Sequence, residues 1–483
     1  MLFNSFNFII FFILVTTFYF ILPNKFRWFL LLVASLIFYM AWNPFLIILI
    51  MLTIVTNYIA SLKLAKSDNR KFRKQMLALC MVFNFGLLFV FKYLGFINDT
   101  FITIFGESWP IGNINIILPM GISFYTFQAT AYTIDVYRGD IEAEKHFGIF
   151  TLFIMFFPQL VAGPIERSKN LLPQFRNEYK FDFPRVISGV RIMFWGFFKK
   201  IVIADRASIA VDTIYNSITD YKGLYLALAT VLFSFQIYCD FSGYSDIAKG
   251  AARVLGYDLM DNFKNPYLSK SIKEFWRRWH ISLSTWFMDY VYFPLGGNRE
   301  GDFKKYRNLM ITFLISGLWH GANWTFVLWG ALHGVYQVVG QITLPFRDKI
   351  KKKLHIEKIS GIFSIIITFG LVTLGLAIFR ANTLSDAFYV FQNIGAAFTG
   401  WWDKQYIFEV LTGMGLNLYE MLVVIGSIFI LMFSEMFCKD KSVYDVVEGR
   451  GMFLRLVFYF IVAVIILSAG VFYNAGAFIY FQF

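Results

Sequence analysis

LMITFLISGLWHGANWTFVLWGALHGVYQVVGQITLP, residues 309–345, is the stretch on which the fold turns. It is apolar at both ends and interrupted between them by Ser316-Gly317-Leu318-Trp319-His320-Gly321-Ala322-Asn323. A transmembrane helix takes about 20 apolar residues, so the stretch either crosses a bilayer once or enters and turns back as a hairpin. The rest of the chain makes the bilayer the natural solvent. Of 483 residues, 58% are hydrophobic and 16% charged, against about 25% charged in a soluble protein. A large soluble helical core would need more polar faces than this. Apolar spans recur at roughly 6–22, 26–42, 44–62, 76–93, 113–134, 186–204, 224–243, 360–380, 416–436 and 452–472. Aromatics, 20% of the chain, gather near span ends as an interfacial belt does.

Charge decides between the two readings of 309–345. The net charge of +13 is concentrated in short loops, at Lys63, Lys66, Arg70, Lys71, Arg73 and Lys74 and at Lys349, Lys351, Lys352 and Lys353. Lys and Arg resist translocation, so such loops stay inside; this accounts for the charge without nucleic acid. The first span reads as an uncleaved helix with the N-terminus outside. The loop carrying Asp99 and Glu107 then also falls outside. A second ambiguous stretch, 147–163, contains Pro158 and Ala162-Gly163-Pro164, which break a regular span. If it dips in and returns, and 309–345 is a hairpin, then 249–308, 346–358 and 437–451 all lie inside and the C-terminus outside. Interrupted backbone at that depth is tolerated only when buried in protein or lining a cavity, so a wet cavity is expected around 309–345. The interrupted segments do not correspond between two halves, which argues against a secondary transporter. Cys80, Cys239 and Cys438 have neither disulfide nor zinc spacing, and no metal site is expected.

Five histidines are present. His355 and His146 sit in charged loops and read as solvated. His333 reads as a hydrogen-bonded packing residue within an apolar helix. His320 lies at the interruption, with Gly317 and Gly321 leaving room for a substrate chain. An ionisable group at membrane depth is a functional hypothesis by default, and an imidazole suits acid–base work near neutral pH; the plainer reading is a cap on a broken helix. His280 ends Lys273-Glu274-Phe275-Trp276-Arg277-Arg278-Trp279-His280, where Phe275, Trp279, Leu283 and Trp286 form an apolar stripe opposite the basic residues, as in an interfacial anchor. Pro294-Leu295-Gly296-Gly297-Asn298-Arg299 reads as a turn returning to the hairpin. Asp135, Asp240 and Asp246 fall at span ends and read as interfacial or structural.

These motifs, with Pro158-Gln159-Leu160-Val161-Ala162-Gly163-Pro164-Ile165 and Asp240-Phe241-Ser242-Gly243-Tyr244-Ser245-Asp246-Ile247-Ala248, resemble the membrane-bound O-acyltransferase (MBOAT) family almost end to end. The likeness is greatest to its bacterial branch of alginate and peptidoglycan O-acetylation proteins, with the teichoic acid D-alanyl transferases as shorter cousins. The resemblance implies an all-α, polytopic integral membrane protein: a ring of transmembrane helices with re-entrant segments and a central tunnel. A single domain would cover 1–483, with core motifs at about 114–345 and C-terminal spans over 360–472. It maps the family's essential histidine onto His320 and its second histidine onto His280. The terminal Phe478-Ile479-Tyr480-Phe481-Gln482-Phe483, otherwise an aromatic interfacial tail, matches the motif over 478–483 proposed to relay the acyl group through Tyr480.

The function these readings lead to is O-acyl transfer across a bacterial inner membrane. Acetyl-CoA, a substrate rather than a resident cofactor, would approach past Arg277 and Arg278, and His320 would act as base on Tyr480 or on an entering hydroxyl. An extracytoplasmic SGNH-type partner would pass the acetyl group to a polysaccharide. An acyl-His320 route, a D-alanyl carrier protein as donor, a lipid or protein acceptor, and transport without chemistry remain the alternatives.

Overall fold

The computed structural model describes residues 1–106, 111, 112, 114, 116–160, 163–353, 360–438, 441–472 and 478–481. Glu107, His355 and the last two residues of the terminal motif lie outside them. Among the described residues every regular element is helical, as expected of an all-α chain. Six helices are long and apolar enough to cross a membrane: Pro44–Lys66, Arg70–Phe105, Leu224–Leu255, Ser360–Arg380, Leu418–Cys438 and Met452–Ala469. Their outward faces are hydrocarbon, as Phe453, Phe460 and Leu467 show on the last of them. The described chain gathers into two compact units, Met1–Met193 with Ile247–Met260, and Phe194–Asp246 with Asp261–Phe483.

The first unit contains α1 (Phe6–Ile21), α2 (Asn24–Met40), α3 (Ile47–Lys66), α4 (Arg70–Phe105), α5 (Ile122–Arg138) and α6 (Phe147–Met155). A small polar cluster joins three of them. Asn57 of α3 donates to Asn84 Oδ1 of α4 at 2.9 Å and accepts from Thr133 Oγ1 of α5 at 2.7 Å. Hydrogen bonds of this kind hold helices together where lipid removes the hydrophobic drive. Two expected boundaries shift. The span placed at 76–93 continues through a π-helical turn at Phe89–Tyr93 to Phe105, so Asp99 lies on a helix and not in a loop. The span placed at 113–134 becomes helical only at Ile122, after Gly121 at φ +73°.

The interruption expected in 147–163 is present, and the break falls at Phe156 (φ −50°, ψ 110°). Pro158 accounts for it, since its ring would meet the carbonyl of residue 154 in a continuous helix. Two of the backbone groups at the break are paired by side chains. Phe157 N–H donates to Ser35 Oγ at 3.1 Å, and the Phe153 carbonyl accepts from the side-chain amides of Gln128 and Gln159, both at 2.7 Å.

Two helices contribute residues to both units. α7 (Phe183–Phe197) runs through a π-helical segment, Phe198–Ala204, into α8 (Asp205–Tyr215), and α9 spans Leu224–Leu255. Within the second unit α9 crosses the end of α7 and the π segment at backbone distance: a Cβ on Gly243 would stand 2.8 Å from the Gly196 carbonyl oxygen and 3.1 Å from Lys200 N. Next come the short helices α10 (Ile272–Arg278) and α11 (Ile281–Phe287), then α12 (Asp302–His320) and α13 (Trp324–Ile342). α12 and α13 form the expected hairpin. Asn323 caps α13 by accepting from Thr325 N–H. A Cβ at Gly317 would lie 2.3 Å from Phe326 O, and one at Gly321 2.1 Å from the Phe326 ring. These glycines therefore admit α13, which corrects the reading that they leave room for a substrate. α14 (Ser360–Arg380), α15 (Leu418–Cys438) and α16 (Met452–Ala469) complete the long helices.

Candidate acyl-transfer site

His320 is the last residue of α12, placed there because Gly321 leaves the helix in extended conformation (φ −164°, ψ 154°). Its ring is 3% exposed and stands among Trp329, Trp319, Phe379 and Tyr480, with centroid separations of 4.9, 5.1, 5.4 and 5.7 Å. In place of the expected wet cavity, a small apolar void about the size of one water molecule lies at this point, lined by His320, His333 and Tyr480 together with Phe275, Trp279, Trp329, Phe379, Ile237, Val372 and Leu376. Apart from the two imidazoles and the phenol, its walls are hydrocarbon and indole, drier than expected.

Tyr480 is carried on a single turn, Ile479–Phe481. Its ring stacks on Phe478 at 5.4 Å, packs on Phe241 at 4.8 Å, and lies 6.2 Å from the His280 ring. The structure thus brings His320, His280 and Tyr480 together. It does not bring in Arg277 and Arg278. Arg277 is exposed on α10, and Arg278 pairs with Glu274 at 2.9 Å; neither lines the cavity.

The segment around His280 departs from the interfacial-anchor reading. Phe275, Trp279, Leu283 and Trp286 are buried in protein, and the helix is cut at His280, which adopts φ +43°, ψ 55°. A left-handed residue with a side chain is uncommon, and here local hydrogen bonds hold it. Asn262 Oδ1 accepts from Ser282 N–H at 3.2 Å and Ser282 Oγ at 2.9 Å, and lies 3.1 Å from His280 Nδ1. A carbonyl oxygen only accepts, so Nδ1 carries the proton and Nε2 the lone pair. Burial lowers the His280 pKa to about 3, which keeps the ring neutral. At His333 the assignment reverses: Trp276 Nε1–H donates to Nδ1 at 3.3 Å, so the proton is on Nε2, and the packing role read from the sequence is what the structure contains. His146 is exposed as expected, and it also caps α6 by accepting from Ile149 N–H.

Charged residues missed in the sequence stand beside this site. Lys200 is buried in the π segment, 2.8 Å from Asp240 and 2.7 Å from Asp205; Lys199 pairs with Asp246 at 2.6 Å. Asp240 lies inside α9, not at a span end, so its interfacial reading is corrected in favour of the structural one. A signal was available, since Lys199-Lys200 interrupts an apolar run and demands partners from another. Asn262 offered no such signal, because a polar residue in a loop looks ordinary until the loop is folded inward. The Pro294–Arg299 turn is confirmed: Asn308 of α12 donates to Leu295 O and Gly297 O, each at 3.0 Å.

Residues 142–379 match the family model described as MBOAT, membrane-bound O-acyltransferase family. That range contains His280 and His320 and ends before Tyr480. The chain is 40% identical over 377 residues to the probable alginate O-acetylase AlgI of Azotobacter vinelandii, covering 77% of this chain and 73% of that one. It is 36% identical over 396 residues to a peptidoglycan O-acetyltransferase of Helicobacter pylori, covering 75% and 73%. It is 29% identical over 280 residues to the teichoic acid D-alanyltransferase of Bacillus subtilis, covering 56% and 70%.

Proposed function

Because this chain belongs to the membrane-bound O-acyltransferase family, we propose that it takes an acetyl group from cytoplasmic acetyl-CoA and passes it through Tyr480 toward an extracytoplasmic polysaccharide. Membership makes it a multi-pass membrane enzyme that transfers acyl groups to oxygen. The observation that carries the finer reading is the convergence of the Tyr480 ring on those of His320 and His280, at 5.7 and 6.2 Å. The names of the alginate and peptidoglycan relatives support acetyl as the group and a polysaccharide as the destination.

In this mechanism His320 removes the Tyr480 phenol proton as the oxygen attacks the thioester carbonyl. The C–S bond breaks, and the leaving CoA thiolate recovers that proton from the imidazolium. Burial and the nearby Asp240 carboxylate raise the Tyr480 phenol above its usual range, so the attack needs the His320 base, and the phenyl ester formed remains a good donor for a second transfer. The hydrocarbon walls of the cavity limit hydrolysis of that ester. His280, neutral and backed by Asn262, packs beside the tyrosine and supports the site. An SGNH-type partner outside the membrane receives the acetyl group, and the distribution of Lys and Arg among the loops supports both termini lying on that side of a bacterial inner membrane. Arg277 and Arg278 remain the proposed attraction for the CoA phosphates at the inner surface.

Labelled acetyl-CoA incubated with purified protein tests this. Label bound to the wild type, released by hydroxylamine and absent from Tyr480→Phe and His320→Ala, is the expected result. Label that persists in Tyr480→Phe excludes the tyrosine relay while leaving the enzyme class intact.

A further inference from the structure

Asp240 places two carboxylates on one buried cation. Lys200 Nζ lies 2.8 Å from Asp240 Oδ1 and 2.7 Å from Asp205 Oδ1, with side chains 1 to 4% exposed. A buried carboxylate is costly unless strong hydrogen-bond donors meet it. The second oxygen, Asp240 Oδ2, accepts from the backbone N–H of Ile479 at 2.8 Å. That amide is adjacent to Tyr480. The same face of α9 supplies Phe241, which packs on Tyr480 at 4.8 Å, and Tyr244, which packs on Phe478 at 4.6 Å.

We propose that Asp240, held by Lys200, is a positioning residue that docks the Ile479–Phe481 turn on α9 and so holds the Tyr480 hydroxyl where His320 can serve it. The proposal rests on the reading of Tyr480 as acyl acceptor. Asp240 is not among the residues lining the void beside His320. It fixes the backbone beside the reacting residue by a charge-assisted hydrogen bond, and Lys200 fixes Asp240. The turn is only three residues long, and this hydrogen bond adds a directional anchor to the ring packing of Tyr480 on Phe241 and of Phe478 on Tyr244.

The test is single-turnover loading of the full-length protein with labelled acetyl-CoA, read as a rate at saturating donor and as the donor concentration giving half that rate. Asp240→Ala is expected to slow loading by about tenfold or more, to leave the half-saturating concentration unchanged, and to speed carboxypeptidase trimming of the terminal turn. Asp240→Asn keeps an amide oxygen for the Ile479 N–H, so it should recover part of the rate and part of the protection. Wild-type loading in Asp240→Ala overturns the proposal. So does a loss in both variants that only follows a fall in folded protein, measured by the melting midpoint. Tyr480→Phe, run alongside, separates the two readings. If it keeps its label, the tyrosine relay itself has failed. If it loses its label while Asp240→Ala loads normally, only the positioning role has failed.

Discussion

His320 is surrounded by aromatic rings, and what distinguishes it from His333 one helix away is what each ring is bound to. Trp276 donates to Nδ1 of His333, whereas Tyr480 packs against the His320 ring at 5.7 Å. His320→Gln keeps a polar side chain of similar size and removes the base. It should slow acyl loading at least about a hundredfold and leave the melting midpoint close to that of the wild type, measured on the same preparation. Asn262 carries a different load. Its Oδ1 meets three donors at the left-handed His280, so Asn262→Ala should cost about 1–3 kcal/mol, read from unfolding in detergent. The pH response of His280 has a definite sign. Burial lowers its pKa to about 3, so the folded state binds the neutral ring, and the unfolded state binds more protons below about 6.5. Its contribution is therefore complete above pH 6.5 and is lost as pH falls toward 3. His280→Gln should show a smaller drop in melting midpoint between pH 7 and 5 than the wild type does.

At the scale of elements, the hairpin α12–α13 shows how a motif can be read correctly in outline and wrongly in detail. That 309–345 turns back on itself followed from loop charge alone. The purpose of Gly317 did not, because a missing side chain is silent about what fills the space. The structure fills it with the backbone of α13: Gly317 meets Phe326 O, and Gly330 meets Phe313 O at 2.4 Å from a built Cβ. Gly317→Val should therefore destabilise the protein by about 1–3 kcal/mol through overpacking. Gly370 of α14, which has nothing within 4 Å of a built Cβ, should accept alanine with no loss. Melting midpoints of the two variants in one detergent decide this. The break at Phe156 is the complementary case: Pro158 announced an interruption, but Ser35, Gln128 and Gln159, which satisfy it, come from places no local pattern connects.

For the molecule as a whole, the proposed direction of transfer depends on which loops face the cytoplasm. All three cysteines are buried, so an added exposed cysteine reports its side cleanly. In intact cells Thr399→Cys should react with a membrane-impermeant maleimide, and Asp68→Cys should react only after the membrane is opened. Reversal of that pattern overturns the assigned orientation and, with it, cytoplasmic access of the donor to this side of the site.

The membrane class, the helical content and the hairpin were readable from the sequence because they depend on composition and short-range spacing. A run of about 20 apolar residues has few other stable fates, and Lys and Arg keep their loops on one side whatever the tertiary packing. His320 was readable for a related reason, since a titratable group inside such a run needs an explanation. The pairing of Lys200 with Asp240, the docking of the Tyr480 turn on α9 and the support of His280 by Asn262 were decided only by tertiary structure. Each joins residues that are distant in the chain and individually ordinary, and a buried charge or amide reveals its role only when the group that neutralises it is seen beside it.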